Sequence, residues 1–156
     1  AESTSVTIVE KGILKHISQT DYGGAALTQA LAKSLNVSSW RAEELKRRRG
    51  LLGFGGEYEL STSLLPFLDV IIQECGRAAR SYEHINNKKV ERFMLIGGGA
   101  HLPGVEDYMK EQLGIQIVRP HPFSNFTYPS SLEPILPFLN KELAVAAGLT
   151  LRAYSS

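Results

Sequence analysis

Residues 92–118 constrain the fold more than any other part of the sequence, because a strand pattern, a helix pattern and a second strand pattern follow one another there. Residues 92–96 have an apolar strand pattern, for which we expect burial, and three glycines at positions 97–99 interrupt it. A helix pattern with proline first and glycine last covers residues 103–114, and residues 115–118 are again strand-like. A strand, a helix and a strand in this order predict an α/β fold.

The preceding residues predict a β-hairpin and three helices. Residues 4–9 and 13–19 alternate like strands around a turn formed by Lys11 and Gly12. In the long helix predicted over residues 63–85, Pro66 falls in the first turn, where its missing N–H costs no hydrogen bond. The other predicted elements are a helix over 23–36, a helix over 40–49 capped by Ser38 or Ser39, a glycine-rich connector over 51–60 and, after an irregular stretch, a last helix over 139–154. A hairpin followed by strand–helix alternation predicts a mixed α/β sheet.

Composition and charge exclude several classes of protein. Hydrophobic residues make up 43% of the chain and charged residues 21%, as in ordinary globular domains, and the formal net charge of +1 gives no global attraction to nucleic acid or anionic lipid. The single cysteine, Cys75, excludes a disulfide within the chain and lies on the apolar face of the long helix like a core residue. The four histidines have no metal-ligand spacing, so we expect no metal site, and we assign no catalytic residue.

Gly97, Gly98 and Gly99 are the first candidate for a binding site. Glycines let a ligand approach the backbone closely because they carry no Cβ atom, and the helix that follows adds free amide donors. The registers of the Rossmann fingerprint and of the P-loop are both absent. The alternative is a tight strand-to-helix turn without a ligand.

Glu43 and Lys46 are the second candidate, because residues three apart share one face of a helix. A carboxylate and an ammonium side by side can hydrogen-bond hydroxyl groups or the edge of a base. The alternative is a solvated helix with ordinary ion pairs, such as Glu43 with Arg47. Residues 46–49 are all basic, but cations favour a helix C-terminus and no aromatic platform accompanies them, so we expect no nucleic-acid partner.

Five segments of the chain resemble FtsA and PilM proteins of the actin superfamily, and they are spread over nearly its whole length. They are 21–32 (DYGGAALTQALA), similar to a GG…LT..IA segment; 42–47 (AEELKR), similar to an AEELK helix; 64–82, with Glu74, Arg77 and Tyr82 in an E..R….Y pattern; 96–105 (IGGGAHLPGV), similar to the adenosine motif; and 143–152 (LAVAAGLTLR), similar to a C-terminal LAVALGLALR helix. Residues 113–123 also look like those of PilM-type pilus assembly proteins, which are the nearest resemblance.

The resemblance implies an RNase H-like subdomain IIA over residues 1–22 and 61–156, with a helical subdomain IIB inserted over 23–60. It implies that the backbone of the three glycines lies against the adenine and ribose of ATP or ADP, while Glu43 and Lys46 contact the nucleoside from the opposite side. It also implies that the full-length protein binds Mg²⁺ with the nucleotide. The protein would be cytoplasmic and would reach the membrane only through its partners. One such partner would be a PilN-like tail, bound mainly by the other half of the protein.

Departures from the family pattern limit these expectations. Actin-like ATPases have two phosphate-binding hairpins, each led by an Asp-x-Gly pattern, and no hairpin of this kind is identified here. Residues 1–9 look like the second hairpin with its leading Asp-x-Gly cut off, and the sequence starts at Ala1 without a methionine. We therefore expect a fragment with a truncated first strand and an unpaired sheet edge, which could dimerise or exchange strands. We expect no ATP hydrolysis by this chain. An FtsA-like division protein and an interaction module that no longer binds nucleotide stay open as alternatives.

Overall fold

The computed structural model describes residues 1–52 and 58–154, and of residues 58–61 the backbone alone. The predicted glycine-rich connector therefore lies partly outside the described residues, over positions 53–57. The main elements are β1 (Thr4–Glu10), β2 (Ile13–Thr20), α1 (Gly24–Ser34), α2 (Ser39–Arg49), α3 (Tyr58–Asn86), β3 (Arg92–Met94), α4 (Val105–Leu113), β4 (Gln116–Val118), α5 (Leu136–Glu142) and α6 (Ala144–Tyr154). Short 3₁₀ helices cover Gly98–His101, Pro122–Asn125 and Ser130–Ile135.

The strands of the described residues form two small sheets. β1 and β2 are an antiparallel hairpin whose register shifts between Ile8 and Val9, and β3 and β4 are parallel, joined by α4. The predicted mixture of α and β elements is confirmed, but the hydrogen bonds do not join the two pairs into the single sheet that we expected. Since β1 and β3 each have one paired neighbour within the described residues, the dimer or strand exchange stays a prediction.

The core is built around α3. One face of this helix is buried from Leu64 to Tyr82, because apolar residues recur at three- and four-residue steps. Against it pack β1 through Val6 and Ile8, α1 through its buried leucines, and α4. The buried residues of α3 are Leu64, Leu68, Ile72, Cys75, Ala78, Ala79 and Tyr82. Each large aliphatic side chain of this set stabilises the fold by about 1.5–3 kcal/mol through burial. Cys75 is a core residue, as the sequence predicts.

Three helix boundaries differ from the prediction. α3 begins at Tyr58, so Pro66 lies inside the helix rather than in its first turn. The helix therefore lacks one backbone amide donor at this position. α4 begins at Val105 instead of Pro103, because Gly104 in a left-handed conformation precedes it. The predicted last helix is two helices, α5 and α6, separated by Leu143, whose ψ of 10° leaves the helical range.

The strand predicted over residues 92–96 forms over Arg92–Met94 as β3, but the prediction that it is buried is wrong. Phe93 packs against the core, but Arg92 is exposed, and Met94 and Ile96 are 55% and 48% exposed. An apolar run indicates burial only where neighbouring elements cover both faces of a sheet, and in the part of the chain that the structure describes β3 belongs to a sheet of two strands. Within residues 1–52 and 58–154, no helix combines the length and the apolar character that crossing a bilayer requires.

Candidate functional site

The glycine turn, residues 97–99, offers bare backbone to open space. Gly97 has φ +82°, a conformation that side chains disfavour, and it carries the chain from β3 into the 3₁₀ helix Gly98–His101. A Cβ atom built on Gly97 or Gly99 would meet no atom within 4 Å. On Gly98 it would meet Oε1 of Glu142 at 3.5 Å, an ordinary contact distance. A flat ligand can therefore lie directly on this backbone.

The C-terminal end of α5 holds the glycine turn in place. The Gly97 N–H donates to the Lys141 carbonyl at 2.8 Å, and Lys141 Nζ donates to the Ala100 carbonyl at 2.7 Å. The same Nζ donates to Glu106 Oε1 on α4 at 2.6 Å. The ring of His101 stacks on Phe138 of α5 with centroids 4.5 Å apart. Sequence reasoning missed Lys141 and Glu106, because no local pattern marks contacts between residues so far apart in the chain.

Glu43 and Lys46 lie together on α2, where the structure also adds Thr28 of α1. Lys46 Nζ donates to Glu43 Oε2 at 2.6 Å, to Thr28 Oγ1 at 2.8 Å and to the carbonyl of Gly24 at 2.9 Å. The Thr28 hydroxyl also lies within hydrogen-bond distance of Glu43. Only 12% of the Lys46 side chain is exposed. An ammonium has three protons, so these three bonds use all of them and fasten α1 to α2.

Glu43 is held ionised by this network. Burial opposes its charge, but hydrogen bonds from Lys46, Thr28 and Arg47 outweigh burial and lower its pKa to about 2. Arg47 Nε reaches Glu43 Oε1 at 2.7 Å, while Lys46 and Thr28 both approach Oε2. A carboxylate has about four lone-pair sites, so three partners leave room for one more donor, on Oε1. Glu43 can thus accept a ligand hydroxyl, whereas Lys46 has no proton to spare.

The segments that directly follow the two candidate motifs are hydrogen-bonded to each other. The C-terminal end of α2 rests on the segment after the glycine turn, where the Leu51 N–H donates to the Pro103 carbonyl at 2.8 Å. Glu142, which borders Gly98, also lies close enough to α2 to act on Arg47. The pKa of Arg47 is raised mainly by its hydrogen bond to Glu43, and the negative charge of Glu142 adds to the shift.

The basic run at the end of α2 makes ion pairs along the helix. Lys46 and Arg47 bind Glu43, and Arg48 Nη1 lies 3.4 Å from Glu44 Oε1. These are the ordinary ion pairs that the sequence left open as an alternative. Among residues 1–52 and 58–154, no cluster of three His, Cys, Asp or Glu side chains is placed to hold a metal ion.

A separate groove of about 420 Å³ lies between α3, the start of β3 and the α4–β4 connection. Its lining includes Gly76, Arg80 and Glu83 of α3 together with Lys89 and residues 112–116. The glycine turn and α2 are not among the lining residues of this groove. It is therefore distinct from both candidate motifs.

Solved structures with the same architecture define the class of protein. A chain of a PilM–PilN type IV pilus biogenesis complex superposes with a TM-score of 0.81, at 26% identity over 97% of this chain. The ethanolamine utilization protein EutJ from Carboxydothermus hydrogenoformans superposes with a TM-score of 0.64, at 20% identity over 94% of this chain. The fold is therefore that of the actin-like ATPases, as the sequence resemblance implied.

The chain belongs to the family of the type IV pilus assembly protein PilM, whose family model matches residues 1–154. The predicted PilM-type recognition is thereby confirmed. The chain spans 43% of the chain from the PilM–PilN complex and 46% of the EutJ chain. No curated protein matches the sequence. The boundaries predicted for subdomains IIA and IIB stay a prediction.

Proposed function

We propose that this chain is the lobe that binds the adenosine end of ATP or ADP in an actin-like scaffold of the type IV pilus machinery. The pilus assembly family is established by the match over residues 1–154. The observation that carries the nucleotide proposal is the bare backbone of the glycine turn. Glu142, which borders Gly98, also acts through its charge on Arg47, a partner of Glu43.

The residues present fit a nucleoside. A planar base can lie on Gly98 and Gly99, where no Cβ atom keeps it away. Glu43 is ionised at neutral pH and keeps one free acceptor position, which suits a ribose hydroxyl. The role of Lys46 is then to hold Glu43 in position rather than to touch the ligand, because its three protons are already used.

The phosphates and a Mg²⁺ ion would need further ligands, since hard cations prefer several oxygen donors. Two charged groups border the glycine turn, Glu142 and Lys141, and the ammonium of Lys141 already donates to Ala100 and Glu106. A lobe that holds the nucleoside alone positions no nucleophile for phosphoryl transfer, so this chain is expected not to hydrolyse ATP. Its nucleotide would act by steering assembly.

The partner that we propose is the tail of a PilN-like protein. The support is the similarity to a chain solved as part of a PilM–PilN complex. Because this chain covers 43% of that chain, most of the tail-binding surface would lie on the other half of the protein. We place the protein at the cytoplasmic face of the membrane, where it would be held through such a partner. The family match favours pilus assembly over the cell-division alternative.

Substituting Gly98→Val in the full-length protein tests the nucleotide site. Gly98 does not have a positive φ, and its Cβ position has space, so valine fits the fold while its methyl groups occupy the surface proposed for the base. We expect at least about a tenfold loss of ADP affinity in calorimetry, or about 1.4 kcal/mol. Gly148→Val on α6 is the control, because a Cβ atom there meets nothing within 4 Å and valine fits there too.

Pilus assembly in cells that carry the same variants separates the two functional alternatives. A nucleotide-dependent scaffold loses assembly together with ADP binding when Gly98 is replaced. An interaction module without nucleotide keeps assembly, and its unsubstituted form shows no heat of binding with ADP. Unchanged ADP affinity of the Gly98→Val protein would contradict the proposed site.

A further inference from the structure

Lys141 connects three parts of the site that the sequence does not place together. Its backbone carbonyl accepts from the Gly97 N–H at the start of the glycine turn, and its ammonium donates to the Ala100 carbonyl at the end of that turn. The same ammonium donates to Glu106 in the first turn of α4. Gly97 and Ala100, on either side of Gly98 and Gly99, are thus both attached to one residue, while Gly99 faces open space and Gly98 borders Glu142.

Burial makes this attachment stronger than a surface ion pair. The Lys141 side chain is 15% exposed and that of Glu106 is 26% exposed, so water competes little for either group. The hydrogen bond from Lys141 is also the main reason why the pKa of Glu106 is lowered. Arg119 binds the other oxygen of Glu106 at 3.3 and 3.4 Å, but its side chain is 71% exposed.

We propose that Lys141 is a positioning residue for the ligand: it fixes the glycine turn between α5 and α4 in the conformation that a nucleotide base can lie on. This role rests on the proposed function of the turn. Without the ammonium, the Ala100 carbonyl loses its charged donor, and the turn keeps the hydrogen bond of the Gly97 N–H and the neighbouring stack of His101 on Phe138. The turn then samples other conformations, and a ligand that needs this one binds more weakly.

The test compares Lys141→Met with Arg119→Met in the full-length protein. Both changes remove one positive charge from Glu106, but only Lys141 also contacts the turn. We expect Lys141→Met to weaken ADP binding about tenfold and to speed hydrogen exchange of the Gly97 and Ala100 amides by a similar factor without ADP. Arg119→Met should change both by less than about twofold, because exposed ion pairs contribute little.

A second variant covers the case in which Lys141→Met does not fold. Glu106→Gln keeps an oxygen that accepts from Lys141 but removes the charge, so it should raise amide exchange in the turn by a smaller factor, about threefold. Where Lys141→Met does fold, adding Glu106→Gln to it should raise amide exchange in the turn little further, since both changes act on the same hydrogen bond.

The exchange measurement distinguishes this inference from the proposed function. Faster exchange in Lys141→Met, in a protein that never binds ADP, supports the attachment of the turn and refutes the nucleotide proposal. Unchanged exchange together with unchanged ADP affinity refutes the role of Lys141 and leaves the nucleotide site standing. Lys141→Met and Arg119→Met could instead weaken ADP binding equally. That result would show that ADP binding depends on the positive charges around Glu106 and not on the contact of Lys141 with Ala100, and it would also overturn the inference.

Discussion

Replacing Lys46 with methionine tests whether the network on Glu43 holds α1 and α2 together. The chain provides a matched comparison, because Lys46 and Arg47 both bind the same carboxylate, at 2.6 and 2.7 Å. Their exposure differs sharply, at 12% for Lys46 and 77% for Arg47. Methionine keeps most of the aliphatic stem of either side chain and removes its charge and its donors.

The expected loss for Lys46→Met is about 2–3 kcal/mol of unfolding free energy. Hydrogen bonds of charged groups contribute about 1.5–3 kcal/mol each, but the three bonds of Lys46 share partners and do not add in full. Glu43 keeps Thr28 and Arg47 after the change, which limits the cost of leaving its charge behind. Arg47→Met should have an effect close to the error of the measurement, because an exposed arginine is well solvated without its partner.

The pH dependence gives a second test of the same network. The folded-state pKa of Glu43, about 2, lies below its ordinary value of 4.5, so its contribution to stability is complete above pH 4.5 and is lost as the pH falls towards 2. Without Lys46 the pKa of Glu43 is lowered less, so its ionised form contributes less stability that a fall in pH can remove. The difference in stability between the unsubstituted protein and Lys46→Met should therefore shrink by about half between pH 7 and pH 3.

Urea denaturation followed by circular dichroism at both pH values measures these quantities. The other carboxylates titrate alike in both proteins and cancel in the difference. Equal losses for Lys46→Met and Arg47→Met would contradict the reasoning, since only the buried cation is argued to matter. A difference that stayed constant down to pH 3 would show that the lost stability does not come from the charge of Glu43.

Two further predictions concern the packing of the fold. Gly50→Ala should cost about 2–4 kcal/mol in thermal denaturation, because its φ is +53° and a Cβ atom would lie 2.4 Å from the Pro103 carbonyl oxygen. Gly12→Ala, with φ +77° and open space around it, should cost only about 1–2 kcal/mol, and equal costs would argue against the contact between α2 and Pro103. Burial and, less strongly, Glu74 raise the pKa of Cys75 to about 11, so its reaction with Ellman's reagent at pH 8 should be at least about 100-fold slower than in urea. Rapid labelling of the folded protein would contradict the placement of Cys75 in the core.

Local signals in the sequence were enough to predict several elements. The hairpin of β1 and β2 follows from alternation and a Lys-Gly turn, and both turn residues have the positive φ that this turn requires. The start of α2 follows from Ser38, whose hydroxyl accepts from the Arg41 amide. Gly114 ends α4 in the left-handed conformation. In each of these cases the interaction that fixes the element lies within a few residues of it.

The features that the sequence did not predict depend on contacts between distant residues. Lys141 meets Ala100 and Glu106 across 41 and 35 positions, and neither contact leaves a local pattern. The exposure of Met94 and Ile96 depends on which elements cover β3, which an apolar run does not specify. For the candidate site, the spacing of Glu43 and Lys46 predicted their pairing, but not that Thr28 and Gly24 use the remaining protons of Lys46.

The central claim is that a nucleoside lies between the glycine turn and α2. Titration of ADP into the isotope-labelled full-length protein, followed through its backbone amide signals, tests this most directly. The amides of Gly97, Gly98 and Gly99 and of residues around Glu43 should shift together, with one common affinity. Shifts confined to the groove near Gly76 and Gly114, or no shift at any ADP concentration, would contradict the claim.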